Sequence, residues 1–135
     1  ISPAGKVIHK AYTNVDFAPT ILALMGVETD VEFHGLNTAQ DFRSAVKEVV
    51  GDRITYFAKN GGWWVAAVDH RYKLVLDKKE SPWLIDLEKD PDELTNYYDH
   101  PEYTNIAKRL QAELFRQMEQ FKEPGLTFNR PYILK

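Results

Sequence analysis

The hydrophobic pattern of this chain is helical near its C-terminal end and strand-like in the middle. Between about residues 100 and 122, apolar residues recur every three or four positions, at Tyr103, Ile106, Ala107, Leu110, Leu114, Met118 and Phe121. Residues with this spacing lie on one side of an α-helix. The pattern therefore predicts a long amphipathic helix that packs against another apolar surface.

The middle of the chain, from about residue 53 to residue 87, contains four short segments rich in β-branched and aromatic residues. Turn-forming residues separate these segments at Asn60-Gly61-Gly62, at His70-Arg71 and from Lys78 to Pro82. Such segments favour strands, and connections this short force neighbouring strands to pair antiparallel. We predict an α+β fold in which a four-stranded antiparallel sheet packs against the long C-terminal helix.

Two helices are predicted before the sheet, after an irregular segment at residues 1 to 12. Asp16 suits an N-cap and Gly26 suits the C′ position, so a short, strongly apolar helix is expected over about 16–26. A second helix is expected over about 39–49. A helix as apolar as the first requires burial on more than one side, and a chain of 135 residues offers little surface for that.

Composition excludes several classes of function. The net charge is −3 with no block of Lys or Arg, which predicts no nucleic-acid partner. No apolar run approaches the roughly 18 residues of a membrane span. Cysteine is absent, which removes thiol nucleophiles and disulfides and leaves the redox compartment open. The chain begins at Ile1, and we interpret it as part of a longer protein.

The acidic segment after the fourth predicted strand has part of the pattern of a calcium loop. Asp86, Glu88 and Asp90 alternate like the first ligands of such a loop. Pro91 and Tyr97 then stand where a turning Gly and a bidentate Glu are required. A short turn capped by Asp90 is the better interpretation.

Other candidate chemistry is sparse. Four histidines lie far apart in the sequence without metal-ligand spacing, at His9, His34, His70 and His100. Nucleotide-binding glycine loops and nucleophile motifs are absent. The pair Trp63-Trp64 suits sugar stacking or strand packing, and packing is the better-supported role.

Several segments, taken in chain order, carry a resemblance to a known family. They are Asn14 to Val27, His34-Gly35-Leu36-Asn37, Tyr72-Lys73-Leu74-Val75, Trp83 to Asn96 and Pro101-Glu102-Tyr103 with the long helix that follows. Together they resemble the C-terminal region of the sulfatase family of the alkaline phosphatase superfamily. The resemblance implies that residues 1–37 end the large catalytic domain and that residues 38–135 form the C-terminal subdomain.

The resemblance also implies chemistry that this chain does not itself carry. Sulfatases use a formylglycine made from the Cys or Ser of a C/S-x-P-x-R motif, together with a calcium ion. Neither Ser2-Pro3 nor Ser81-Pro82 continues as that motif. Both cofactors are therefore expected in the missing N-terminal catalytic domain of the full-length parent, and no catalytic or metal residue is assigned here.

Substrate contacts are the remaining role for this region. The resemblance places loops near His34, Asn60 to Gly62 and His70-Arg71 as candidates for the wall of the substrate cleft. A cation there contacts a sulfated or carboxylated sugar, whereas the simpler alternative is a set of solvated loop residues. Family resemblance also implies an extracytoplasmic location.

Two alternative functions remain open at this point. The chain is the tail of a related phosphoester or phosphonate hydrolase, or it is a stand-alone, non-catalytic carbohydrate-binding or interaction module. The upstream sequence distinguishes these possibilities, because a C/S-x-P-x-R motif about three hundred residues earlier favours the sulfatase.

Overall fold

The computed structural model describes residues 5–59 and 63–123. By its internal contacts the chain divides into two compact units, one ending at Asp52 and one beginning at Arg53. The division after residue 37 that the resemblance implies stays a prediction. In the division by internal contacts, the segment of the helix expected over about 39–49 lies in the first unit.

The first unit contains two short strands and two helices. Its elements are β1 (Val7–His9), a 3₁₀ turn (Asn14–Asp16), α1 (Phe17–Met25), α2 (Ala39–Arg43) and β2 (Glu48–Val50). β1 and β2 pair in parallel, with Ile8 opposite Val49. The prediction of an irregular segment over residues 1 to 12 is therefore wrong at β1. A strand of three residues is defined by its distant partner rather than by a local pattern.

The apolar helix predicted over 16–26 is present as α1, but its N-terminus is capped differently. The Thr13 side chain accepts the Val15 N–H at 3.1 Å, and the Asp16 carboxylate accepts the Thr13 N–H at 2.9 Å. These reciprocal bonds form a capping box on the 3₁₀ turn that leads into α1. Asp16 therefore holds the predicted N-cap position of α1, but its side chain closes the box on the preceding turn and makes no cap hydrogen bond to α1. Gly26 ends α1 at φ 72°, in the left-handed region that glycine favours.

The helix predicted over 39–49 is wrong beyond Arg43, where α2 ends. Ser44 is already extended, and Glu48–Val50 pairs with β1 instead of continuing the helix. The Arg43 guanidinium donates to the carbonyl oxygens of Ala23 and Leu24 at 2.6 and 3.2 Å. These are carbonyls of the last turn of α1, and the Ala23 carbonyl also accepts the Gly26 N–H at 3.2 Å, so Arg43 joins the ends of the two helices.

The second unit contains the predicted meander. Its strands β3 (Thr55–Ala58), β4 (Trp64–Val68), β5 (Tyr72–Asp77) and β6 (Trp83–Asp86) form one antiparallel sheet in that order. Each strand pairs with the next along the chain. The predicted strand positions and pairing are confirmed.

A long helix, α3 (Thr104–Gln120), packs across one face of this sheet after a 3₁₀ turn (Pro101–Tyr103). The core between them is formed by Val65, Ala67, Leu74, Leu76, Leu84, Tyr103, Ala107, Leu110, Leu114 and Met118. The predicted stripe is confirmed at its centre, whereas Ile106 is half-buried and Phe121 is exposed at its margins. The capping box predicted at Asp99 is wrong, because His100 precedes the first turn and no side chain caps it.

Within the second unit, the opposite face of the sheet is turned away from α3. Strand alternation turns Trp64, Ala66 and Val68 of β4 away from α3. A concavity of about 450 Å³ lies there. We call this surface the open face, and its residues are Phe57, Trp64, Ala66, Val68, Lys73, Val75, Asp77, Glu80, Ser81 and Trp83.

We predict that Leu110→Ala lowers the free energy of unfolding of the second unit by about 2–5 kcal/mol. Leu110 is fully buried between α3 and the sheet, so its truncation leaves a cavity. Urea unfolding followed by tryptophan fluorescence measures this, because Trp63, Trp64 and Trp83 all belong to the second unit.

Leu94→Ala is the matched control, since Leu94 is 78% exposed and its truncation is expected to change stability by less than about 0.5 kcal/mol. Equal losses for Leu110→Ala and Leu94→Ala would contradict the core assignment.

Candidate functional site

The hairpin that joins β4 to β5 contains two of the predicted site residues, His70 and Arg71. Asp69 begins the hairpin and is almost fully buried. Its backbone N–H donates to the Tyr72 carbonyl at 3.0 Å. Its carboxylate Oδ1 accepts the N–H groups of Arg71 and Tyr72 at 2.8 and 2.6 Å. An aspartate that accepts these bonds fixes the turn from within.

The other oxygen of the same carboxylate ties the hairpin to α3. Arg109 donates from Nη2 to Asp69 Oδ2, so helix and hairpin share one buried acceptor. A buried carboxylate is costly without such partners, and here both of its oxygens are engaged. The hairpin is therefore held against the α3 layer of the second unit.

Arg71 is held by a second buried carboxylate. Its Nε and Nη2 donate to Asp86 Oδ1 and Oδ2 at 2.9 and 2.8 Å, a bidentate pair. The Tyr103 hydroxyl donates to Asp86 Oδ2 at 3.0 Å, and Asp86 is fully buried. Arg71 also pairs with the exposed Glu88. The guanidinium predicted to reach substrate is thus directed at side chains of its own unit.

These contacts shift the ionisation of both partners. Burial by itself raises the pKa of the Asp86 carboxyl, but hydrogen bonds from Arg71 and Tyr103 outweigh burial, and the pKa lies below its ordinary value of 3.8. The hydrogen bonds to Asp86 raise the pKa of Arg71 above its already high ordinary value. Both groups are therefore charged at neutral pH.

His70 is the exposed residue of this hairpin. It stands between Asp69 and Arg71, whose carboxylate and guanidinium are both engaged. The backbone on either side of His70 is consequently fixed, while its imidazole faces solvent. Of the two predicted cleft residues in this hairpin, His70 is the more exposed, whereas the Arg71 side chain is 29% exposed and is engaged by Asp86 and Glu88.

His34 lies in the first unit, in the exposed loop between α1 and α2. The next residues fix this loop to the capping box. Leu36 N–H donates to Asp16 Oδ1 at 2.8 Å. A Cβ added at Gly35 would lie 2.0 Å from the Val15 carbonyl oxygen, so only glycine fits there. The third predicted loop, Asn60 to Gly62, lies outside the described residues.

Neither metal chemistry nor sulfate-ester chemistry is assembled by the described residues. Within 5–59 and 63–123, no group of three His, Cys, Asp or Glu side chains converges on a point that would hold a metal ion. Asp86, first of the carboxylates considered for calcium, is bound to Arg71 and Tyr103 instead. The residues present thus do not fit a calcium ion or a formylglycine, and no catalytic step is derived from them.

Sequence reasoning missed the two buried carboxylates that organise this region. An aspartate directly before a two-residue hairpin loop is a recognised turn signal, so the role of Asp69 could have been predicted from the sequence. The partners of Asp86 and Asp69 could not have been predicted in this way, because Arg71 and Arg109 lie 15 and 40 residues away from them in sequence.

In the described part of the chain, no helix combines the length and apolar character needed to cross a bilayer.

Comparison with known proteins gives a consistent result. The family model described as N-sulphoglucosamine sulphohydrolase, C-terminal, matches residues 2–120. The solved structure of BT1596, a 2-O GAG sulfatase, is 22% identical with a TM-score of 0.62, over 80% of this chain and 25% of that chain. BT4656, solved in complex with its substrate D-glucosamine-2-N,6-O-disulfate, is 23% identical with a TM-score of 0.59, over 82% of this chain and 24% of that chain.

A further similar structure has a different named activity. The phosphonate monoester hydrolase of Agrobacterium radiobacter is 22% identical with a TM-score of 0.54, over 78% of this chain and 24% of that chain. At these identities the likeness shows a shared fold, and the chain spans about a quarter of the solved proteins. A search of curated protein sequences found no match.

We predict that Asp86→Asn lowers the free energy of unfolding of the second unit at pH 7 by about 1–3 kcal/mol. Because the folded-state pKa of Asp86 lies below its unfolded value, the Asp86–Arg71 pair stabilises fully above about pH 4 and loses this effect as pH falls through the folded pKa. Chemical unfolding of both proteins across pH 2 to 7 should show a flatter acid limb for the variant.

Glu88→Gln provides the control, because Glu88 contacts the same guanidinium from a side chain that is 69% exposed. An exposed pair contributes about 0–1 kcal/mol, so this variant should keep the wild-type acid profile. An unchanged acid limb in Asp86→Asn would refute the assigned role of the buried pair.

Proposed function

The chain belongs to the N-sulphoglucosamine sulphohydrolase C-terminal family, and on that basis we propose that it forms the C-terminal part of a sulfatase that hydrolyses sulfated glycans. The family match over residues 2–120 is the observation that carries this proposal. The named substrates of two proteins with this fold, a 2-O GAG sulfatase and an enzyme of a disulfated glucosamine, support the glycan class.

In this proposal the first unit completes the large catalytic domain. Phe17 and Met25 of α1 are 62% and 71% exposed, which is unusual for large apolar side chains on one short helix. Such a helix is stable when it packs into a larger body. The formylglycine and the calcium ion then belong to the part of the parent outside this sequence, and the location is extracytoplasmic.

The second unit contributes a wall of the substrate cleft through the β4–β5 hairpin. Side chains that bind substrate work best on a rigid support, and Asp69 and Asp86 supply that support from below. The imidazole of His70 is exposed at the tip, where a sulfated or carboxylated sugar would meet it. Arg71 contributes by fixing the hairpin and not by direct contact, and His34 is a second candidate contact.

A phosphonate monoester hydrolase is the second candidate for the parent. The Agrobacterium radiobacter enzyme shares this fold at an identity close to that of the sulfatase structures. A stand-alone binding module without catalysis is a third possibility, and its support is limited to the absence of a nucleophile motif in this sequence.

We predict that the full-length parent hydrolyses a sulfated glucosamine or an aryl sulfate, whereas these 135 residues alone give no turnover. The reason is chemical, since the chain has no Cys, and Ser2 and Ser81 are outside any C/S-x-P-x-R motif. Sulfate release measured by ion chromatography tests both statements. Preference of the parent for phosphonate monoesters would favour the second candidate, and turnover by the short chain would refute the assignment.

We further predict that His70→Ala in the parent raises KM more than it lowers kcat. Loss of one contact made equally to substrate and transition state weakens binding without changing the bond-breaking step. Arg71→Ala should instead disturb stability as well, because it leaves the buried Asp86 without its bidentate partner.

Lys108→Ala, on the exposed side of α3, is the control and should leave both constants unchanged. His34→Ala tests the remaining candidate in the same assay. Wild-type kinetics for His70→Ala and His34→Ala together would remove the cleft-wall role.

A further inference from the structure

The two outer surfaces of the second unit differ in chemical character. The outer side of α3 is exposed and mostly polar or charged, at Asn105, Lys108, Arg116 and Glu119. The open face on the other side of the sheet is mostly apolar, and its Trp83 remains 39% exposed. A sheet normally buries both faces when both are apolar. The polar side of α3 suits solvent, whereas the open face suits a second covering layer.

The strand register gives the open face the shape of a trough. Phe57 of β3 lies opposite Ala66 of β4, Ala66 lies opposite Val75 of β5, and Val75 lies opposite Trp83 of β6. Along this row, small side chains form the floor and aromatic side chains form the two sides. Trp64 of β4 lies beside Ala66 on the same face, so the floor is small only along this row. Three strand spacings separate the sides by about 14 Å, and an α-helix with its side chains is about 10–12 Å across. The trough matches one helix.

Two of the four polar residues around the trough, Lys73 and Asp77, are engaged by their neighbours. Lys73 pairs with Glu93. Asp77 Oδ1 accepts the N–H groups of Lys79 and Glu80 at 2.8 and 3.3 Å. A sugar requires polar partners in addition to an aromatic surface, and the charged groups of Lys73 and Asp77 are directed elsewhere. An occupant with an apolar stripe and polar flanks fits this combination better.

From the trough and its engaged rim, we propose that the open face binds an amphipathic helix from the part of the parent protein outside this sequence. This inference rests on the proposed function, because it requires a larger parent. Solved proteins with this fold are about three times as long as this chain, because 80% and 82% of this chain correspond to only 25% and 24% of them. The second unit is then a three-layer structure, with α3 outside, the sheet in the middle and the parent helix on the open face.

The test is hydroxyl-radical labelling of the parent protein, native and denatured, with mass spectrometry of each labelled residue. Labelling follows exposed area, so a fall at Trp83 from 39% exposure to core-like burial predicts roughly a tenfold protection beyond that expected from this structure. Trp64 and Phe57 should be protected together with it. Leu94, which is 78% exposed outside the open face, is the internal reference and should show almost no protection.

Protection of Trp83 that is independent of protein concentration supports the docked helix. Protection that disappears on dilution would identify a second copy as the occupant, and protection that appears only with an added oligosaccharide would identify a glycan. Either result overturns the proposal, as does labelling of Trp83 at the level expected for 39% exposure.

A pair of variants adds a measurement of stability. Trp83→Lys should lower the thermal midpoint of the parent and raise labelling at Trp64, whereas Leu94→Lys should do neither. Labelling of the wild-type parent does not depend on enzymatic turnover, so the docked helix and the proposed sulfatase activity can be refuted independently. A parent that protects Trp83 but releases no sulfate refutes the sulfatase alone, and one that releases sulfate with Trp83 accessible refutes the docked helix alone.

Discussion

One helix can cover only one face of a four-stranded sheet, and this constraint organises the second unit. α3 buries Leu74, Leu76 and Leu84 on the near side, where the apolar stripe of the helix supplies matching residues. Each such side chain contributes about 1.5–3 kcal/mol when it is fully buried. The far side is turned away from α3, although strand alternation gives it aromatic residues as well. The apolar character of both faces is the physical reason to regard the unit as one part of a larger body.

Buried carboxylates perform a different task from the apolar core. Asp69 precedes β5 and Asp86 ends β6, yet both hold the hairpin that carries His70. Their partners, Arg109 and Arg71, offset the cost of burying charge. Packing alone would position the strands but would leave a two-residue loop free to change shape. The ion pairs therefore connect the stability of the unit to the direction in which His70 is presented.

Local patterns were sufficient to predict the four strands and the long helix of the second unit, because these elements follow one another in space as they do in sequence. The helical period identified α3, and short turns identified the meander. The first unit was predicted less well. β1 and β2 pair across about forty residues, and α2 ends before the segment that forms β2. No local sequence pattern therefore predicts where α2 ends or which strands pair. The same limit applies to the Arg71–Asp86 pair, which becomes visible only in three dimensions, whereas a contact of Arg71 with substrate stays a prediction.

The tight approach of Gly35 to the Val15 backbone has a consequence for protein engineering. Because the Leu36 N–H also donates to Asp16, the loop that carries His34 is fixed to the turn that precedes α1. Transplanting that loop into another scaffold to alter selectivity would succeed only if the turn were transplanted together with the loop. The smallest exchangeable module is therefore the stretch from residue 13 to residue 38, not the few positions around the histidine.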